Sequence, residues 1–355
     1  MTENGLNWRR AVKTAVASAC RVPASLVLPR VQPYIVGYHR VVEDFPSAAR
    51  TTLPAMLVSS RMLENQLDWI ARNFRFVTLD EIGARLKHGE PFNEAVAAVT
   101  FDDGYQDAYE QACPILLRKG IPATFFVVTD LVGKASWQVF DRLYRVLKRS
   151  FPEWDEASQR SRALAGVGVT GHAAAAIEGA PGPEAATGQI LARMAQAEVL
   201  RVIGALESRG GPLGDTIPPL LSWDTIRSMR RAGFTIASHT RTHVWLPRET
   251  LERVATELAG SRLELERQLG EPVAHFAYPA GEFTGDVVAA VETAGYRFAY
   301  TICGHRDGQR PLLTVARELL WEHSATDGHG RFSPAQMACH VRGLFSGMNG
   351  CAQTH

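Results

Sequence analysis

Two pairs of residues in this chain have the types and spacing of reactive groups. Asp102 and Asp103 are adjacent carboxylates, and His239 and His243 are imidazoles four positions apart. Adjacent carboxylates repel each other, so a fold keeps them together more readily where a cation or a proton separates their roles. Histidines at that spacing fall on one side of a helical turn or tight loop, and with one carboxylate they make a ligand set for a divalent metal. Three protein ligands leave one position open, where a water becomes hydroxide-like near neutral pH. One acid could then ligate while the other accepts the water's proton. Each feature alone has a plainer explanation. Histidines so spaced are common on solvated helices, and Asp103 could simply cap the helix that follows it.

The elements that must carry these groups are legible around them. Val96–Phe101 is a β-branched, apolar run that breaks into the two acids and Gly104, the pattern of a buried strand delivering polar groups to a surface. Phe234–Ala237 is a second such run and ends at Ser238-His239-Thr240-Arg241-Thr242-His243. A third, Val273–Ala277, ends at Tyr278-Pro279-Ala280-Gly281, and an early one, within Pro33–Val41, ends at His39 and Arg40. Chemistry at strand ends is the habit of α/β enzymes. Helices are expected over 59–74, from an Asp80 cap through Leu86, over 105–119 ending at Gly120, from a Ser222 cap to Gly233, over 248–269 and over 287–294. Further strands fit Phe76–Leu79, Pro122–Val128 and Phe298–Thr301. Strand, helix, strand order implies parallel neighbours. Between residues 150 and 220 the rhythm is lost to alanine-rich helical stretches and Gly/Pro segments, read as a mostly helical insertion that could wall a cleft or act as spacer.

Thr100-Phe101-Asp102-Asp103-Gly104-Tyr105, the Ser238–His243 segment and Tyr278-Pro279-Ala280-Gly281 resemble the successive motifs of the polysaccharide deacetylase family, the NodB-homology or carbohydrate esterase 4 proteins. The resemblance spans roughly residues 34–301, interrupted by the insertion. It implies an α/β fold, a distorted (β/α) barrel of seven parallel strands, that removes acetyl groups from sugars. It implies Asp102 as general base, and Asp103, His239 and His243 as ligands of one divalent ion, Zn²⁺ foremost, with Co²⁺, Ni²⁺, Mn²⁺ or Fe²⁺ as alternatives. The backbone N–H of Ala280 would face the oxyanion. Ala277 stands where many relatives carry an arginine that holds the base, so the support of Asp102 is an open question. For the general acid, Tyr38-His39-Arg40-Val41 resembles an early Tyr-His motif, and His39 is favoured over His323 of the looser Leu320-Trp321-Glu322-His323 match.

Aromatic residues near the strand ends, Tyr105, Tyr278, Phe283, Trp137 and Trp245, could stack on a sugar or be core. Tyr105 gains weight from its place in the motif, and Tyr278 joins it as a substrate-binding candidate. Arg40, Arg241 and Arg317 could meet an anionic group of the substrate. The organisation expected is an amphipathic helical segment over 1–32, a deacetylase domain over 33–310 including the insertion, and a packed extension over 311–355.

The 355 residues suffice for a large core, and 38 Lys+Arg against 37 Asp+Glu leave no basic footprint for nucleic acid. Five cysteines, odd in number and without a CxxC pair, read as reduced packing residues. Lys13 and Arg21 interrupt the early alanine-rich stretch, which fits an amphipathic helix better than an export signal, and no segment approaches the length of a spanning helix. The expectation is therefore a cytoplasmic protein with peripheral membrane contact allowed. Its partner is expected to be an acetylated sugar, glycolipid or polysaccharide precursor. Two rivals stand beside this: hydrolysis of a non-sugar amide, as in allantoinase-like and imidase-like relatives, and a non-catalytic carbohydrate-binding descendant. Retention of all four polar residues argues against the second, because a binding module needs no base beside a ligand.

Overall fold

The computed structural model describes residues 32–153, 157–211, 213–214 and 217–343; the helix expected over 1–32 lies almost entirely outside them. The strands that make the barrel are β1 (Tyr34–Tyr38), β2 (Val96–Phe101), β3 (Ala123–Val127), β4 (Thr235–Ser238), β5 (His275–Ala277), β6 (Phe298–Thr301), β7 (Val315–Ala316) and β8 (Glu318–Leu319). They run in the spatial order β7-β6-β5-β4-β3-β2-β1-β8, and every pairing is parallel. The short strand Arg75–Phe76 adds to the start of β2.

The two edges of this sheet meet in one stretch of chain. Val315 and Ala316 pair with Tyr300 and Thr301, while Glu318 and Leu319 pair with Val36 and Gly37. Arg317 lies between, its N–H donating to the Thr301 carbonyl at 2.8 Å. Segment 315–319 thus closes the circle as a single broken strand, giving a distorted barrel of seven positions, as expected. The boundary expected at residue 310 falls inside the barrel, because the segment that follows it supplies the closing strand.

Alternation along the strands sorts their side chains into two cores. Ile35, Ala98, Phe126, Ala237, Ala277 and Tyr300 belong to the smaller, inner cluster. Val36, Val99, Phe125, Ile236 and Ala299 face outward, against the apolar stripes of the surrounding helices. Those helices include α1 (Ser60–Ala71), α2 (Leu79–His88), α3 (Cys113–Lys119), α9 (Trp223–Arg231), α10 (Leu251–Leu269) and α11 (Gly285–Thr293). The insertion is helical: α5 (Ala157–Gly166), α6 (Gly171–Glu178), α7 (Pro183–Leu191) and α8 (Gln196–Gly210) share a third core with the preceding helix α4 (Val139–Ser150), built on Leu143, Leu147, Ile177, Ile190 and Ile203.

Caps mark the helix starts where the sequence signalled them, with one shift. Ser222 accepts from the Thr225 N–H, and Gly120 ends α3 in the left-handed region. The cap of α2 is Thr78, not Asp80: the Thr78 hydroxyl accepts from Glu81 N–H, while Asp80 turns to Nε2 of His275 at 3.0 Å. The helix expected from residue 105 contains a π-helical turn, Ala108–Ala112.

Gly281, in the turn after β5, has φ +69°, and a Cβ there would stand 2.3 Å from Ile302 Cγ1 and 2.7 Å from the Ile302 nitrogen. The left-handed backbone alone costs an L-residue about 1–2 kcal/mol, and the overlap adds to it. Gly281→Ala should lower the thermal midpoint measurably in a calorimetric scan; a midpoint equal to wild type would contradict the turn geometry.

Candidate metal centre and active site

Asp102 and Asp103 leave β2 in opposite senses. Asp102 continues the inward face of Ala98 and Thr100, and its carboxylate meets Arg317 in a two-pronged ion pair, Nη1–Oδ1 and Nη2–Oδ2 both 2.8 Å. Both side chains are buried. Arg317 Nη1 also donates to Thr100 Oγ1 at 3.0 Å, and Thr100 in turn donates to the Val36 carbonyl at 3.0 Å. Burial pushes the Asp102 carboxyl up, but Arg317, with His239 and His39, outweighs it and holds the group below its ordinary value. Arg317 therefore answers the open question of what supports Asp102: the arginine absent at position 277 is supplied from the closing strand. It was expected to meet a substrate anion; its anion is Asp102.

Asp103 has φ +75° and turns its buried carboxylate toward the histidines. Its Oδ1 lies 3.5 Å from His239 Nε2 and 3.2 Å from His243 Nε2. These spacings match the edge of a tetrahedral Zn²⁺ site, about 3.3 Å for bond lengths near 2.0 Å. Neither Asp103 oxygen accepts a hydrogen bond with good geometry, so it does not cap the following helix. His239 Nδ1 lies 2.8 Å from the Ala277 carbonyl, which can only accept, so Nδ1 carries a proton and Nε2 is the ring nitrogen turned toward Asp103 and available to a metal. Burial would raise the Asp103 carboxyl, yet His239 and His243 hold it well below the carboxylate range. Burial would lower His239, and Asp103 with Asp102 more than offsets it. A buried, ionised carboxylate without proper donors, facing two ring nitrogens, is a fit for a cation. Among the described residues, Asp103, His239 and His243 form the cluster able to hold a metal ion.

The backbone around this centre is strained. Asp103, Thr240, His243 and Ala280 are the non-glycine residues with positive φ among those described, at 75°, 68°, 59° and 55°. All four lie in the loops at the ends of β2, β4 and β5, where such conformations persist only if the surroundings over-determine them.

His39 follows β1 and lies close enough to feel both Asp102 and Asp103. Burial holds its imidazole below the ordinary value against the pull of the two acids. His323 instead packs edge-on to Phe45 and Trp321, with ring centres 5.1 and 5.0 Å away.

The expected substrate contacts are placed differently. Tyr278 is buried, and its hydroxyl donates to the Leu313 carbonyl at 2.9 Å, making it a core residue rather than a sugar platform. Phe283 is buried beside it. Tyr105 is buried too, donating to Asp141 of α4 at 2.5 Å with Arg40 over its ring. Arg40 pairs with Asp107 at 2.7 Å and Arg241 with Asp130 at 2.9 Å, so each spends its charge on an internal carboxylate. Tyr278, Tyr105, Arg40 and Arg241 sit at the strand ends as read, but their polar groups are turned toward protein partners, which local sequence cannot show.

The insertion, the helix α4 packed with it and Gln138 just before that helix come to the site at three places that the sequence did not flag. Gln138 Nε2 donates to the Asp103 carbonyl at 3.1 Å, Asp141 holds Tyr105, and Gln196 holds the histidine loop. Leu191, Met194 and Val199 also line an apolar recess shared with Phe140, His243 and Trp245. The role of Arg317, by contrast, had a usable signal, since it follows the apolar Leu312-Leu313-Thr314-Val315-Ala316 in the way the other site groups follow their strands.

Known proteins share sequence motifs and fold with this chain. A family model described as polysaccharide deacetylase matches residues 89–163 and 181–299. A poly-beta-1,6-N-acetyl-D-glucosamine N-deacetylase of Staphylococcus aureus is 34% identical over 87 residues, which is 24% of this chain and 30% of that protein. The protein of that name from Staphylococcus epidermidis is 29% identical over 129 residues, 34% of this chain and 43% of that protein. The matches therefore span less than half the length of these curated relatives. Among solved structures, the Streptococcus pyogenes deacetylase PplD in complex with acetate superposes with TM-score 0.55 at 18% identity, covering 87% of this chain and 97% of that one. IcaB from Ammonifex degensii gives TM-score 0.55 at 20% identity, covering 88% and 98%. These two likenesses are of fold.

Two outcomes check the electrostatics. Arg317→Ala leaves Asp102 buried without its cation and should destabilise the chain by about 3–5 kcal/mol in denaturant unfolding; a loss under about 1 kcal/mol would mean the pair does not organise the barrel mouth. Burial raises the Asp141 carboxyl to about 6, so the stability it contributes as a neutral acid is complete below its unfolded value near 3.8 and is lost as pH rises through about 6. The difference in thermal midpoint between Asp141→Asn and wild type should therefore shift in favour of the variant between pH 4 and pH 7. A pH-independent difference would contradict the raised value.

Proposed function

Because the chain belongs to the polysaccharide deacetylase family, we propose that it is a metal-dependent N-deacetylase that hydrolyses the acetamide of an N-acetylated sugar in a polysaccharide, glycolipid or polysaccharide precursor. The observation that carries this reading is the division of the paired acids: Asp102 is locked to Arg317, and Asp103 faces His239 and His243 with its oxygens free of protein donors.

A divalent ion held by Asp103, His239 and His243, Zn²⁺ foremost among the candidates, would supply Lewis acidity toward the amide carbonyl and lower the pKa of water in its open position. Asp102, kept ionised and oriented by the Arg317 fork, takes the proton of the attacking water. The Ala280 N–H, in its left-handed turn after β5, donates to the oxyanion as charge develops on the carbonyl oxygen. His39 gives a proton to the nitrogen as the carbon–nitrogen bond breaks, releasing acetate and a free amine. Its lowered value makes the imidazolium a ready donor once protonated. His39 is preferred to His323 because it lies within the field of both acids, whereas His323 packs against Phe45 and Trp321.

The sugar class rests on the family and on the names of the relatives, and the insertion beside His243 is the candidate wall for substrate choice. Among the described residues no helix is long and apolar enough to cross a membrane, and contact with a membrane-borne substrate stays within the proposal.

The test is acetate release from N-acetylglucosamine oligomers and N-acetylated glycolipids, against allantoin and cyclic imides, with bound metal measured alongside. Asp102→Asn should retain the ion and lose at least about 100-fold in turnover. His239→Ala should lose the ion. His39→Ala should lower the rate where His323→Ala does not. Turnover of the imides alone would transfer the reading to non-sugar amides, and full ion content in His239→Ala would remove the ligand assignment.

A further inference from the structure

The loop from His239 to His243 carries two of the four left-handed non-glycine residues, Thr240 and His243. Such a backbone costs about 1–3 kcal/mol per residue and does not hold itself. One side of the loop is fixed by the barrel. His239 N–H donates to the Val127 carbonyl at 3.0 Å, and the Thr240 and Arg241 carbonyls accept from Thr129 and Asp130 N–H at 3.2 and 2.9 Å. The Thr240 hydroxyl accepts from the His243 N–H at 2.9 Å.

The other side faces a carboxylate that the proposed chemistry does not use. Glu257, in the second turn of α10, has a fully buried side chain. One oxygen accepts from the Arg241 and Thr242 N–H groups at 2.8 and 2.9 Å; the other meets the Thr242 hydroxyl at 2.7 Å and Arg253 Nη2 at 2.7 Å. Burying a carboxylate is costly unless it is paired and its acceptor sites are used. Apart from Arg253, every one of these partners belongs to the two residues preceding His243. Gln196, the first residue of α8, completes the grip: its Nε2 donates to the Thr242 carbonyl at 2.7 Å, and its Oε1 lies 3.1 Å from the Thr242 hydroxyl. Its own N–H donates to Glu249 at 2.7 Å.

We infer that Glu257 and Gln196 are positioning residues that hold the strained 239–243 loop in the shape that aims His243 at the metal, and that through Gln196 the helical insertion is coupled to metal affinity. The inference rests on the reading of Asp103, His239 and His243 as metal ligands. Glu257→Gln keeps the volume but turns one acceptor into a donor facing N–H groups. Gln196→Ala removes only the insertion's tether, and Thr242→Val removes only the hydroxyl between them.

The experiment measures Zn²⁺ affinity by chelator competition and the absorption spectrum of the Co²⁺ form for the full chain and each variant, with folding followed by circular dichroism. Glu264→Gln is the control, since among the described residues Glu264 pairs with Arg267 and Gln268 of its own helix. Outer partners of metal ligands typically govern 10- to 100-fold in affinity. Glu257→Gln should weaken Zn²⁺ binding by about that factor and alter the Co²⁺ bands. Gln196→Ala and Thr242→Val should do so to a smaller degree, and Glu264→Gln not at all. Wild-type affinity and spectrum in a folded Glu257→Gln variant would overturn the inference. If that variant does not fold, wild-type behaviour in both Gln196→Ala and Thr242→Val would overturn it instead. A wild-type chain that takes up no ion would overturn the metal reading and this inference together, whereas binding unaffected by the variants would overturn this inference alone.

Discussion

The buried pair between Arg317 and Asp102 is the interaction on which the rest of the site depends. It joins the end of β2 to the point where the barrel closes, and through Thr100 it reaches the Val36 carbonyl on β1. The guanidinium also lies over the Phe126 ring, 5.0 Å from its centre, which ties in β3. Removing two charges from water is expensive, and the return on a buried pair is geometry more than stability. Here the geometry is a carboxylate held ionised and in one orientation at the mouth of the barrel. A second acid can then stand beside it with a different role.

The division of labour between Asp102 and Asp103 is made by the backbone. Strand alternation sends Asp102 inward, and the left-handed conformation at Asp103 breaks that alternation and turns the next carboxylate toward the histidine loop. The same device recurs at Thr240, His243 and Ala280. Strain concentrated at the ends of β2, β4 and β5 is tolerated because regular parallel pairing, closed without a free edge, fixes where each end lies. A scaffold of that kind lets short loops hold shapes they would not adopt alone.

The insertion has a core of its own and yet is not a detached spacer. Polar side chains of α4, of Gln138 just before it and of α8 end on main-chain or hydroxyl groups beside the proposed ligands and Asp102. Its apolar residues share a recess with His243. A segment that both walls the site and touches its supports can influence what enters and how firmly the centre is held.

The sequence by itself determined the strands that end in reactive groups, the order of strand and helix that makes the barrel, and the Asp102, Asp103, His239 and His243 set. Each of these is written in a local pattern: an apolar run, a cap, a spacing of four. Where two local patterns competed, as with Thr78 and Asp80 at the start of α2, the choice went to the residue without a distant partner, since His275 claims Asp80. What only the tertiary structure decided is where side chains spend their hydrogen bonds and charge. Tyr105, Tyr278, Arg40 and Arg241 look available in the chain and are taken up by Asp141, Leu313, Asp107 and Asp130. The closing strand is broken into two-residue pieces too short to show a period, so the segment after residue 310 reads as an appendage. Its arginine meets an aspartate 215 residues earlier. No local rule reaches across that separation, and it is the closure of the barrel that brings the two together.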